Sequence, residues 1–288
     1  MTHPVSASTT ATAQGPTPGP VQVTGEVLSV KRVGPYHHLT LVAPGVAERH
    51  RPGSQVALAV GGPLSDRLLR RLVAIFRVRP TGAYGGTVEV VLGGADPGTA
   101  WLAALPTGAA VDVVGPLGRP YALPKEPVGC VLVGDGADAA PLFGLAERLR
   151  ERGCAVHVLL AAATEAHLFG ALEARRSART VTVVTEDGSV GMPGRPADVL
   201  PGLLARTEAD VVYASGPVPM LHAAAQAAED HGAWSQTAVS WPVACGTGLC
   251  NGCVLPVVGE DGVARLARAC ADGPVLRGDR VRWAEVPR

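Results

Sequence analysis

A chain of 288 residues with 47% hydrophobic side chains can bury more than one core, so two domains, or one domain with an added module, are expected. Charged residues make up only 17%, and 25 Lys plus Arg balance 25 Asp plus Glu, which leaves no basic surplus to hold nucleic acid. No apolar run approaches the ~18 residues of a membrane span, and six cysteines in a chain this long do not describe a disulfide framework.

Residues 1–20 are rich in Ser, Thr, Ala, Pro and Gly and lack both a basic start and an apolar stretch. They read as a disordered tail rather than a signal peptide, and the expected location is the cytoplasm. From residue 21 to 123 the chain shows short β-branched runs broken by Gly and Pro, such as VQVTGEVLSV, HHLTLVAP, SQVALAV, TVEVVLGG and AAVDVVGP. That spacing predicts an antiparallel β-barrel, interrupted by one helix around Thr99–Ala104. His37 and His38 read as an alternating strand pair.

Between residues 124 and 232 apolar strands alternate with helical stretches: GCVLVGD, then APLFGLAERLRERG, then CAVHVLLAAA, EAHLFGALEAR, TVTVVTEDG, ADVLPGLLAR and DVVYASG. The alternation predicts a doubly wound parallel α/β domain. Cys130 and Cys154 lie in apolar runs and read as buried core thiols. Two turns in this domain could face a ligand. In VLVGDGADAAPL, Val131 to Leu142, a strand, a glycine turn and a helix start form the arrangement that takes dinucleotide phosphates in many α/β proteins. Asp135 and Asp138 occupy places where glycines would ease that approach, and an ordinary strand–helix turn is the competing reading. In YASGPVPML, Tyr213 to Leu221, a second strand ends at a Gly-Pro turn. In the barrel region Arg70 and Arg71 read either as phosphate contacts or as a solvated basic edge, and Gly98-Thr99 as a helix start with free N–H groups.

Residues 233–288 carry Cys245, Cys250, Cys253 and Cys270 in the spacing C-x4-C-x2-C-x16-C. The first intervals are those of plant-type 2Fe-2S proteins, with the fourth ligand arriving later. Two irons need thiolates from several directions, so the loop must wrap the cluster. Gly246, Gly248 and Gly252 let the backbone come close. A structural zinc site usually takes two separated knuckles or Cys/His pairs, and no His sits near these cysteines; zinc and unliganded thiols are the competing readings.

The order barrel, α/β domain and C-terminal cluster, together with PGTAWLAAL, VDVVGPLG, TEDGSVGMPGRPADVL, YASGPVPML and ACADGPVL, resembles the electron-transfer subunits of NAD-linked dihydroorotate dehydrogenases. These form a group within the ferredoxin reductase-like flavoproteins. The resemblance runs from about Val21 to Trp283 and implies FAD between barrel and α/β domain. The family's Arg-Pro-x-Ser flavin run falls on Arg71, Leu72, Val73 and Ala74, with the Arg kept and the Pro and Ser replaced. A second contact segment, usually ending in Tyr-Arg, falls on Val91, Leu92 and Gly93, and the Gly-Thr pair is kept at Gly98 and Thr99. The resemblance further implies iron ligation by the four cysteines, NAD(H) as substrate, and a heterotetramer of two such chains with two FMN-containing catalytic subunits in pyrimidine (UMP) biosynthesis. A reductase component serving another partner enzyme, and a non-catalytic cluster-bearing redox sensor, are the alternative functions.

Overall fold

The computed structural model describes residues 19–62, 65, 67–83, 85–93 and 96–287; all but the last two residues of the expected disordered tail lie outside them. The first eight elements are β1 (Val21–Val33), β2 (Tyr36–Val42), a short helix α1 (Val46–Arg49), β3 (Gln55–Leu58), β4 (Arg71–Arg79), β5 (Thr87–Leu92), helix α2 (Pro97–Ala103) and β6 (Ala110–Leu117). The six strands close into a barrel in the order β1-β2-β5-β4-β3-β6. Alternation along each strand sends one set of side chains inward: Leu39 and Leu41, Val88 and Val90, Val111 and Val113 are all essentially sealed from solvent. The expected helix near Thr99 begins two residues earlier, because Asp96 caps it and Pro97 suits its first position. The single turn of α1 is too short to leave a periodic signal.

The second unit follows as β7 (Gly129–Asp135), a 3-10 turn at Gly136–Ala139, α3 (Ala140–Glu151), β8 (Ala155–Ala162), α4 (Ala171–Ser177), β9 (Thr180–Thr185), β10 (Met192–Pro193), α5 (Pro196–Thr207), β11 (Val211–Gly216), α6 (Val218–His231) and β12 (Trp234–Val239). The helix expected over EAHLFGALEAR is confined to α4, and Glu165–His167 forms a separate 3-10 turn. The remaining strands are β13 (Val254–Val258), β14 (Ala264–Arg268) and β15 (Val275–Arg277). One sheet runs β10-β9-β8-β7-β11-β12-β15, parallel as far as β12, with β15 antiparallel at the edge. The division expected at 232/233 therefore falls inside this sheet. Residues 240–274 are a long excursion between β12 and β15, and the hairpin of β13 and β14 is their only regular structure among the described residues.

Each face of the sheet is committed to a different neighbour. On one face α5 and α6 share a core with the excursion, so Cys253, Leu255, Ala269 and Cys270 pack with Val131, Val133 and Leu221. On the other face α3 and α4 meet the barrel, and all three phenylalanines of the chain gather there. Phe76 of β4 lies edge-on to Phe143 at 5.8 Å and to Phe169 at 5.5 Å, and Tyr36 lies edge-on to Phe169 at 5.7 Å. Beside them the segment after β6 is tied to the sheet: Tyr121 donates to the Ala214 carbonyl, and Tyr213 and Gln236 donate to the Ala122 carbonyl. Large aromatic side chains bring much buried area to a contact, and edge-to-face geometry adds to it.

Phe76→Ala is expected to destabilise the chain by about 3–5 kcal/mol, the range for a buried aromatic. Leu172→Ala, at a side chain 69% exposed, should stay within about 0.5 kcal/mol. Denaturant titration compares the two; a Phe76→Ala loss below about 1 kcal/mol would show that the seam does not hold the units together.

Candidate functional site: a seam cavity and a cysteine loop

Strand order sets the position of the first site. The chain leaves β7 toward β8 and returns past it to β11, so the turns after β7 and β11 diverge and open a crevice. A cavity of about 470 Å³ lies there, against the barrel. Leu72, Val73 and Ala74 of β4, Val91 and Leu92 of β5, Gly93 and Thr99 line it on the barrel side; Asp135–Asp138, Ser215 and Pro217 line it on the sheet side. The two turns singled out in the sequence and seven of the nine expected flavin-contact residues thus share one cavity.

Arg71 and Gly98 are not in its wall. The Arg71 guanidinium is held by Asp96, with Nε 2.7 Å from Oδ1. It lies so close over Gly98 that a Cβ there would stand 2.5 Å from Nε. Asp96 also accepts from the Gly98 N–H at 2.8 Å, the Thr99 N–H at 3.2 Å and the Thr99 hydroxyl at 2.6 Å. Burial pushes this carboxyl up, but the Thr99 hydroxyl, Arg71 and the two N–H groups outweigh it and hold it well below the usual carboxylate range.

Two lining residues, Tyr36 and Gln55, and one carboxylate outside the wall, Glu186, left no sequence signal. Tyr36 donates to the His167 carbonyl at 2.7 Å while the Ala137 N–H points at its oxygen, which ties barrel to glycine turn. Gln55 Oε1 is buried with no hydrogen-bond partner and belongs to the cavity wall; a ligand N–H or O–H would satisfy it. Glu186, beyond β9, acts on the turn by its charge. Burial and then Glu186 raise the Asp135 carboxyl, and burial and then Asp135 raise that of Asp138. An elongated ligand with a flat ring and polar tail fits the apolar strands and the orphaned amide; an anionic tail meets carboxylates at both ends.

The cysteines form two pairs. Cys253 Sγ lies 3.3 Å from Cys270 Sγ, both buried. Cys245 takes its hydrogen bonds from Thr247 and from the Cys250 N–H and thiol. Burial raises the Cys245 thiol, but those donors outweigh it and bring it down to about 5, whereas burial and the neighbouring Cys253 push Cys270 up to about 12. Among the described residues no three Cys, His, Asp or Glu side chains converge on one point. Two thiolate pairs suit two irons better than one tetrahedral zinc.

Gly246 and Gly248 both have positive φ, which is why glycine serves at these turns. A Cβ on Gly246 would sit 3.6 Å from Leu72 Cδ1 and 3.8 Å from both Ala57 Cβ and Leu117 Cδ1, so the loop lies on the barrel. Asp272 holds the loop from behind: it accepts from the Arg268 N–H and guanidinium, while Arg268 Nη1 donates to the Gly248 carbonyl at 3.2 Å. The Asp272 clamp gives a structural reason for the DGPV run after the fourth cysteine.

Barrel, switch-point crevice and cysteine excursion define a ferredoxin reductase-like protein with an iron–sulfur module. A solved structure described as an NADH-dependent reduced ferredoxin-NADP oxidoreductase superposes with a TM-score of 0.78 at 27% identity, covering 91% of each chain. Residues 242–282 match the family described as the iron-sulfur cluster binding domain of dihydroorotate dehydrogenase B. The electron transfer subunit of dihydroorotate dehydrogenase B (NAD(+)) from Bacillus caldolyticus is 36% identical over 85% of this chain and 92% of its own length. That from Geobacillus thermodenitrificans is 35% identical with the same coverage. The chain belongs to the family of dihydroorotate dehydrogenase B electron transfer subunits.

Asp96→Ala removes the α2 cap and is expected to cost about 1 kcal/mol, whereas Asp96→Asn, which keeps a capping oxygen, costs less. Because the folded carboxyl lies below its unfolded value, its ionic contribution is complete above about pH 4 and fades as pH falls through the lower folded value. The stability gap between the native chain and Asp96→Asn, measured by urea titration, should therefore narrow in acid. A gap that widens there would contradict the ion pair.

Proposed function

We propose that this chain holds a 2Fe-2S cluster on Cys245, Cys250, Cys253 and Cys270 and FAD in the seam cavity. In this reading it passes electrons from an FMN-containing catalytic subunit, which oxidises dihydroorotate, to NAD+. The setting is pyrimidine (UMP) biosynthesis in the cytoplasm, in a heterotetramer of two subunits of each kind. Among the described residues no helix is long and apolar enough to cross a membrane.

One observation carries the reading. Leu72 is a wall of the cavity and also the barrel side chain nearest to Gly246, the residue after the first cysteine. A cluster loop and a flavin cavity that share one side chain are placed for electron exchange. When bound, the cluster supplies one-electron exchange and the flavin both one- and two-electron exchange, which links stepwise electron supply to hydride transfer. The protein's part is positional. The β4 and β5 side chains seat the ring, Gln55 offers an acceptor, and Arg71 turns from Asp96 to the doubly charged diphosphate. The Asp272–Arg268 clamp keeps the cysteines on the barrel. The exposed Cys250 and the neighbouring Leu249, 85% exposed, leave one side of the loop open toward a redox partner.

A second reading has its own support: Asp135, Asp138 and Glu186 crowd negative charge where nicotinamide phosphates would lie. Here the chain carries electrons without using nicotinamide.

Anaerobic purification should give two irons, two sulfides and one FAD per chain. Cys253→Ser should lose the iron and its visible absorbance but keep the flavin; zinc in place of iron would overturn the cluster, and iron without flavin would overturn the cavity's role.

NADH should reduce the bound flavin, and Asp135→Gly with Asp138→Gly should lower its KM by about tenfold, worth about 1.4 kcal/mol, in stopped-flow assays. No reduction in either protein would establish the second reading.

A further inference from the structure

A larger cleft, of about 1070 Å³, opens between the same two units and shares no wall residue with the flavin cavity. Its charge departs from that of the chain. The whole sequence is balanced at 25 cations and 25 carboxylates, yet seven Lys or Arg side chains and only three Glu line this cleft. The cations come from both units and from the segment that joins them: Arg77 from β4, Lys125 from the connection, Arg148 from α3 and Arg152 just beyond it. Glu173 spreads its charge over Arg77 at 3.6 Å and Arg176 at 3.8 Å, and two carboxylates outside the wall reach the same set of cations, Glu89 at 3.8 Å from Arg77 and Glu151 at 3.0 Å from Arg148; seven cations against these five carboxylates still leave a positive surplus. Positive charge gathered from both sides of a concave surface focuses its field on small anions.

Two further observations are independent of charge. His50, also in the wall, has its Nδ1 buried with no hydrogen-bond partner. Burial, followed by the Arg148 charge, lowers this ring to about 4, so at neutral pH it is uncharged and can donate or accept. Gly144 lies inside α3, where glycine costs a helix stability relative to alanine. Nothing in the packing demands it: a Cβ there would meet only the Phe76 carbonyl oxygen, at an ordinary 3.9 Å. What the glycine does is keep the cleft floor low beside Phe76 and Phe143.

We propose that this cleft is a second ligand site and that it binds a nucleoside phosphate. The cations take the phosphates. The apolar wall of Phe76, Phe143, Pro120 and Leu123 takes the base, and His50 offers it a hydrogen bond. An inorganic anion would leave the apolar half of so large a cleft unused, and an uncharged nucleoside would gain nothing from its positive surplus. Because the ligand touches β4, the connection and α3 together, binding draws barrel and sheet to each other.

The test is calorimetric titration of the full chain, carrying the cofactors with which it purifies, with ADP, inorganic pyrophosphate and adenosine in separate runs. ADP should saturate at one equivalent, with pyrophosphate and adenosine each weaker by about tenfold or more. Gly144→Leu should raise the melting temperature, since leucine favours a helix, yet weaken ADP by at least about tenfold by filling the floor. Lys125→Gln with Arg148→Gln should weaken it comparably if Gly144→Leu fails to fold, and Arg206→Gln, on the exposed side of α5, should leave it unchanged. ADP that does not saturate overturns the proposal. So does an ADP affinity unaltered by the cleft substitutions, which would place the nucleotide in the nicotinamide crevice. Pyrophosphate binding as tightly as ADP would overturn the nucleoside half.

Discussion

Gly246 lies on the barrel where a side chain of β4, Leu72, faces both the cysteine loop and the seam cavity. Two groups that exchange electrons must be kept close and their separation constant, and a flexible loop cannot do that alone. Here the loop is an excursion between two strands of the same sheet, β12 and β15, so both of its ends are fixed by backbone pairing. Its buried cysteine pair packs into the core that α5 and α6 make with the sheet. The Asp272–Arg268 clamp then closes the loop on itself. Such close packing resists local shifts, because a displaced side chain gives up its contacts before it finds new ones.

The loop is fixed to the sheet, but the cavity is half barrel, so the contact at Leu72 persists only if barrel and sheet are fixed to each other. The chain is poor in aromatic residues, at 4%, and it places all three phenylalanines in that one contact. The tyrosine pair adds direction to this apolar surface. Tyr121 reaches from the connecting segment to β11, and Tyr213 reaches from β11 back to the segment, with their rings edge-on at 5.6 Å. Apolar area supplies most of the adhesion, and the two hydroxyl bonds select one docking geometry among those that bury similar area.

Much of this was legible in the chain. Period-two runs announced the barrel, alternating strands and helices announced the parallel sheet, and the cysteine spacing announced the cluster module, because each pattern is local and directly imposed by geometry or valence. The end of the sheet was not legible. β12 looks like one more apolar run, and β15 is three residues whose pairing partner lies 39 positions earlier in Thr237. The role of Asp96 was hidden for a similar reason: its carboxylate serves a helix beginning at the next residue and an arginine 25 positions earlier. Seven expected flavin-contact positions fall on one cavity because five of them sit on the paired strands β4 and β5, whose register fixes them, while Gly93 follows directly after β5 and Thr99 lies at the start of α2. Arg71 and Gly98 depended on a side-chain choice that strand pattern does not determine.

The acidic groups along the nucleotide route differ in what they can do when a phosphate arrives. Asp96 is an exposed-side carboxylate at the mouth of α2, holding Arg71 by one oxygen. A diphosphate carries more charge than a carboxylate, so Arg71 gains by turning to it, and Asp96 keeps its N–H bonds to the helix after the exchange. Asp135 and Asp138 have no such exit. They belong to the turn itself, burial already disfavours their charge, and each is further raised by a neighbouring carboxylate. A phosphate brought against them would raise both again, so that turn could accept it most readily by taking up protons. Binding coupled to proton uptake weakens as pH rises. A diphosphate arriving at Arg71 would thus exchange one anion for another, while a dinucleotide phosphate arriving at the glycine turn would bind with an affinity tied to the protonation of two aspartates.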